Sequence, residues 1–147
     1  MKKAANGFTL VETLVVIAVI VMLSAIAYPL YTSLGQQLAL NSQSRQLLED
    51  LRLAQQLAVS EQITFKVVLN PANNSYLLQA ASATSPYKSQ ALTAPARFGT
   101  ISGLASNTVS FNLIGAPSGY GTINLLNANG QQKTIEIKPS GYVDIKN

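Results

Sequence analysis

An uncharged run near the N-terminus constrains this chain more than any other feature. Between Thr13 and Leu30 there is no charged residue, and only Thr13 and Ser24 are plainly polar. At about 1.5 Å per residue, a helix from Phe8 to Leu34 would reach roughly 40 Å, longer than the ~30 Å hydrocarbon layer of a bilayer. Lys2 and Lys3 precede the run, and one acid, Glu12, stands near its start. A carboxylate in lipid costs on the order of 2.5–3.5 kcal/mol on insertion scales. A chain that keeps one there needs a partner to offset it.

Three readings of this segment compete. As a secretory signal it has a Lys-Lys leader, an apolar stretch and Ala25-Ile26-Ala27 as a small-x-small cleavage site, but Glu12 interrupts the stretch and Pro29 follows the cut. As a plain anchor it would keep the lysines cytoplasmic and export the rest, leaving Gly7 and Glu12 without a role. The third reading uses every residue. Gly7-Phe8-Thr9-Leu10-Val11-Glu12, after a short basic leader and before an apolar helix, closely resembles the class III signal of type IV pilins and type II secretion pseudopilins. That resemblance implies cleavage by a prepilin peptidase between Gly7 and Phe8 on the cytoplasmic side, followed by N-methylation of Phe8. It also implies that Glu12 is the family's acidic assembly residue and Pro29 its helix-bending proline. The physics is consistent with this carry-over. A neighbouring subunit's Phe8 amine at 4 Å from Glu12 would attract it by about 4 kcal/mol before desolvation, at an effective dielectric near 20. Glu12 also falls in the first helical turn, where the macrodipole favours an anion.

The remainder of the chain limits the chemistry available. With no His and no Cys among 147 residues, the usual bases, thiolates and metal-ligand sets cannot be built, so neither an enzyme nor a metal or other cofactor is expected. Glu49 and Asp50 are adjacent on a helix, diverge by about 100° and read as a solvated edge rather than a paired acid site. Gly115 to Gly121 precedes a strand, so it lacks the helix N-terminus of a phosphate loop. The formal charge is +4, and taking Lys2 and Lys3 from 10 basic against 6 acidic side chains leaves +2, too mild to imply nucleic acid.

Beyond Gly35 the hydrophobic period is helical. Leu40, Ser44, Leu47, Leu51, Ala54 and Ala58 form a stripe widened by Leu48 and Leu57, while Arg45, Glu49, Asp50, Arg52 and Gln55 face elsewhere. This predicts an amphipathic helix to about Glu61, its stripe covering a β-sheet. At Ile63 the period becomes two. Ile63 to Leu69 and Tyr76 to Ala81 read as a hairpin around Asn70-Pro71-Ala72-Asn73-Asn74. Residues 82–107, rich in Ser, Ala, Thr and Pro, read as a long loop with a short strand near Phe98 to Ile101, carrying Tyr87, Lys88 and Arg97 as a conceivable contact surface. Thr108 to Ile114, Thr122 to Asn127, Gln132 to Lys138 and Tyr142 to Ile145 read as an antiparallel meander, with Asn129-Gly130 the strongest hairpin signal.

The expected fold is therefore α+β and pilin-like, a long membrane-spanning helix whose amphipathic C-terminal half packs on an antiparallel β-sheet domain. Its parts are a leader at 1–7, a transmembrane and filament-core helix at 8–34 and a periplasmic domain at 35–147. The Leu51 to Ser60 helix end, Phe111, Gly115, Ile123-Asn124-Leu125, Asn129-Gly130, Ile135-Glu136-Ile137 and Gly141 also resemble the GspH/FimT group of minor pseudopilins and pilins. Some members of that group bind DNA near the C-terminal glycine. Here Gly141-Tyr142-Val143-Asp144-Ile145-Lys146 holds an acid and one base, against the clustered cations that phosphate binding needs. The resemblance implies a subunit of a type II secretion pseudopilus or type IV pilus, anchored in the inner membrane with a cytoplasmic N-terminus, whose partners are prepilin peptidase and other pilin subunits. The alternatives are an extracytoplasmic binding module that uses 82–107, or a DNA-uptake minor pilin.

Overall fold

A computed structural model describes residues 9–146. Its first element is one helix, α1, spanning Leu10–Glu61. The chain divides at Gly35 into two units, residues 1–35 and 36–147. In the first unit the helix runs uninterrupted through Pro29. The unwinding that a missing donor could cause there does not occur.

In the second unit the part of α1 beyond Gly35 buries Leu40, Ser44, Leu47, Leu51, Ala54 and Ala58, the six positions of the stripe. Ser44 sits in an apolar face because its Oγ donates to the Leu40 carbonyl at 2.6 Å, satisfying the hydroxyl within the helix. The stripe packs in one core with Phe65, Val67, Leu78, Val109, Phe111, Ile123, Leu125, Ile135 and Ile137, all at most 2% exposed.

The strands form two antiparallel sheets instead of one meander. Strands β1 (Phe65–Asn70), β2 (Ser75–Ala80), β3 (Lys88–Ala91), β4 (Arg97–Ser102), β5 (Thr108–Phe111), β6 (Gly121–Leu126), β7 (Gln132–Ile137) and β8 (Val143–Lys146) are ordered β3-β2-β1-β5 and β4-β6-β7-β8. β5 leaves its neighbours in sequence to pair with β1, Phe65 opposite Phe111 and Val67 opposite Val109. That register places four apolar side chains on the core face. Residues 82–107 are not one long loop. Besides β4, where a short strand near Phe98 to Ile101 is expected, they contain β3 and a short 3-10 turn at Ala105–Asn107. β3 alternates half-buried and exposed residues and has no full apolar alternation to read, while β4 is broken by a bulge between Phe98 and Ile101.

The turns are built as their residue types require. Asn70 Oδ1 accepts the Asn73 amide at 3.4 Å, Pro71 occupies an early position where no donor is needed, and Asn74 takes the left-handed conformation at φ 45°. Asn127 is fully buried and closes the β6–β7 turn, its Oδ1 accepting the amides of Asn129 and Gln131 at 3.0 and 2.9 Å. Gly130 supplies the positive φ of 78° there.

On the outer face of the second sheet Glu136 lies directly opposite Asp144, a like-charge pair that Lys146 relieves through a 2.8 Å contact to Glu136. The hydrogen bond from Lys146 holds the Glu136 carboxyl below the ordinary carboxylate range. A depressed folded-state pKa adds stability above the unfolded value, and this is lost as pH falls through the folded one. Lys146→Ala is therefore expected to raise the Glu136 titration midpoint in carboxyl NMR and to flatten the acid limb of the stability curve. An unmoved midpoint would contradict the pairing.

Candidate functional site

The helix start is set by Thr9. Its Oγ1 accepts the Glu12 amide at 3.3 Å and its carbonyl accepts the Thr13 amide at 3.2 Å, so Thr9 is the N-cap and Glu12 the third helical residue. Thr9-x-x-Glu12 is the capping-box pattern, a signal present in the sequence that the reading above did not use. It assigns Glu12 a local reason to be acidic besides any partner. Gly7 and Phe8 lie outside the described residues.

From Leu10 to Leu34 every residue is exposed, including Leu10 at 79%, Leu23 at 63% and Tyr31 at 79%. An 18-residue stretch of the helix has a mean hydropathy of 2.7 and is 0% buried, so the helix is long and apolar enough to cross a membrane. The hydroxyls of Thr13, Ser24 and Thr32 turn back on their own helix. Thr13 Oγ1 donates to Thr9 O at 3.3 Å, Ser24 Oγ to Ile20 O at 2.8 Å and Thr32 Oγ1 to Pro29 O at 3.0 Å. With those groups satisfied, the surface left between Thr13 and Leu30 is apolar, and an apolar surface of this extent is the mark of a lipid or protein contact. Glu12 has no ion-pair partner among the described residues.

In the second unit the helix is held on both sides of its stripe. Asp50 is 3% exposed and is not a solvated edge: its carboxylate accepts the Tyr76 hydroxyl and the Lys88 ammonium, each at 2.7 Å. Burial, then the bond to Asp50, raise the Tyr76 pKa, so its hydroxyl stays a donor. Glu49 beside it is exposed, as expected. On the opposite flank Arg52 Nη2 donates to the Val143 carbonyl at 3.0 Å, and Gln55 Nε2 donates to the carbonyls of Gly115 and Gly141 at 2.8 and 3.2 Å. Gln55 is half-buried against the two turns, contrary to the expectation from its polarity, whereas Arg52 stays exposed, as expected, and reaches β8 only by its guanidinium. Gly141, at φ +83°, has to lack a side chain, since a Cβ would stand 2.9 Å from Gln55 Nε2 and 3.1 Å from the Gly115 carbonyl. A polar side chain aimed at two glycine turns leaves no periodic trace, which is why sequence reasoning missed it.

Lys88 is thus committed to Asp50, while Tyr87 remains 60% exposed with its ring edge-to-face against Phe65 at 6.4 Å. Arg97 is exposed on β4. Of the C-terminal cations, Lys138 lies over the Tyr142 ring at 5.3 Å and Lys146 pairs with Glu136. A polar cleft of about 670 Å³ beside Asp50 is lined by Asn41, Arg45, Glu49 and Lys88 among others. Both oxygens of Asp50 are occupied there, so the cleft has no free acid pair. Among the described residues no cluster of three or more His, Cys, Asp or Glu side chains could hold a metal ion.

Comparison with known proteins places two labels on this geometry. Residues 2–28 match the model of the prokaryotic N-terminal methylation motif. The fold is similar to the type IV minor pilin FimU of Pseudomonas aeruginosa, at 15% identity and a TM-score of 0.63 over 76% of this chain and 91% of that one. It is also similar to the minor pseudopilin EpsH of the Vibrio cholerae type 2 secretion system, at 11% identity and a TM-score of 0.61 over 73% and 95%. No curated protein matches the sequence.

Proposed function

We propose that this chain, which carries the type IV pilin and pseudopilin fold behind a prokaryotic N-terminal methylation motif, is a minor pilin or pseudopilin subunit. It is inserted in the inner membrane with its N-terminus cytoplasmic and its β-domain periplasmic. Prepilin peptidase cuts between Gly7 and Phe8 and the Phe8 amine is methylated. The subunit then enters a pseudopilus or pilus by its N-terminal helix. Its role is structural, as a subunit and not an enzyme. The observation that carries this reading is the fully exposed apolar helix, Leu10 to Leu34, with a single acid in its first turn.

In this reading lipid contacts are exchanged for contacts with other subunits' helices. Glu12 is the exception that sets register. In lipid it is costly alone, and beside a neighbour's Phe8 amine the charge is matched. Pro29 leaves the Ala25 carbonyl without its helical donor, so the helix has a point where it can bend during packing.

Mass spectrometry of the native N-terminus tests the proposal. Methylated Phe8 is expected, whereas Tyr28 would indicate a secretory signal and Met1 a simple anchor. Replacing Gly7 by leucine is expected to abolish processing and leave a longer chain in the membrane. A Gly7→Leu protein that still begins at Phe8 would sink the cleavage-site assignment.

A further inference from the structure

The apolar stripe of α1 holds the helix to the sheets but does little to set how far along its axis the helix sits. The stripe recurs every three or four residues, so a slip of one turn, about 5.4 Å, carries Leu47 to the place of Leu51 and Ala54 to that of Ala58. Apolar burial is non-directional and largely survives such a slip. The five hydrogen bonds that Asp50 accepts and that Arg52 and Gln55 donate do not.

Their placement is two-sided. At about 100° per residue, Asp50 falls to one flank of the stripe, with Gln55 and Arg52 on the other. Asp50 grips β2 and β3 of the first sheet through Tyr76 and Lys88. Arg52 grips β8 of the second sheet. Gln55 holds the turn that follows β5 and the turn that precedes β8, one from each sheet. Three residues within two helical turns therefore tie the helix to both sheets.

We propose that Asp50, Arg52 and Gln55 form a register lock, which transmits a pull on α1 to both sheets so that helix and β-domain move as one body. This rests on the reading of the chain as a filament subunit, whose helix is drawn from the membrane with the β-domain following. Bonds spread over both flanks share such a load, where an apolar stripe alone would slide by turns. The three are positioning residues: they keep the helix where assembly requires it.

The absence of native cysteine allows single-molecule pulling of the full chain in detergent micelles through introduced pairs. Handles at Gln37→Cys and Asn129→Cys load the helix against the second sheet. Handles at Ser102→Cys and Asn129→Cys load that sheet internally. Arg52→Ala combined with Gln55→Ala is expected to roughly halve the helix-to-sheet rupture force, since directional bonds supply the resistance to sliding. The internal force should be unchanged. Leu57→Ala, which trims a half-buried side chain packed on the core, is expected to keep the helix-to-sheet force at an equal or lower urea midpoint. Equal loss of force in the double variant and in Leu57→Ala would overturn the lock. Should the double variant not fold, Asp50→Asn, Arg52→Ala and Gln55→Ala singly are each expected to lower the force part way, and three unchanged forces would also overturn it. Processing does not enter this measurement. A native N-terminus other than Phe8 would defeat the filament reading while leaving the lock standing, and a failed lock leaves processing at Phe8 untouched.

Discussion

Glu12→Ala is expected to insert in the membrane and be processed at Phe8 as usual, yet to be recovered in filaments at about a tenth of the wild-type level or less. The attraction between Glu12 and a neighbour's Phe8 amine is about 4 kcal/mol before desolvation, and a net residue of only ~1.4 kcal/mol amounts to tenfold in an equilibrium. Insertion should not suffer, because removing a carboxylate from an apolar segment makes insertion easier. Glu12→Gln separates the charge from the helix start. A glutamine at the third helical position still serves a capping box, so its helix begins at Thr9 as before, and any defect it shares with alanine belongs to the charge. Fractionation and quantitative blotting of sheared filaments supply both readouts. Normal recovery of Glu12→Ala would remove the pairing role and leave Glu12 as a cap.

Asp50→Ala should cost the β-domain about 2–4 kcal/mol, at the lower end if Lys88 recovers its hydration and higher if it does not. The two partners behave differently. The Lys88 side chain is 36% exposed and can turn to water, whereas Tyr76 is 2% exposed and its hydroxyl donates to Asp50 in the interior. Asp50→Asn keeps an oxygen for Tyr76 and loses only the charge facing Lys88, so its cost should be about 1 kcal/mol. Urea unfolding of the two variants in parallel measures the difference. Equal midpoints would show that the Tyr76 bond contributes nothing and that the ion pair is the whole of the effect.

The contrast between Glu49 and Asp50 shows where the sequence stops being readable. Both are acids on one helix, adjacent, and outside the apolar stripe. One is exposed and the other is nearly sealed, and the difference lies in residues 26 and 38 positions away that deliver a hydroxyl and an ammonium to it. Gln55 is the same case with two backbone carbonyls in place of side chains. Thr9 is the opposite case: its bond to the Glu12 amide is local, three residues apart, and the pattern was available without any structure.

The sheets divide along the same line. β1, β2, β6 and β7 could be read from alternation and from Asn-rich or Asn-Gly turns. β4 was read only as a short strand near Phe98 to Ile101, since its bulge breaks the period, and β3 could not be read because it is short and half-exposed. The return of β5 to β1 was also illegible, since pairing partners are chosen by which apolar faces meet across the core and not by order along the chain.

What the sequence alone determined is whatever depends on spacing within one segment. That covers the N-terminal motif, an apolar helix able to span a bilayer, and the six-residue stripe that the tertiary structure buries in full. The tertiary structure alone decided which polar residues of α1 turn inward, how the strands split between two sheets, and that Asp50, Arg52 and Gln55 grip both of them. Periodicity records the average environment along a face, because burial acts on every residue of that face. A single hydrogen bond depends on one distant atom arriving at about 3 Å, and a one-dimensional pattern carries no record of that distance.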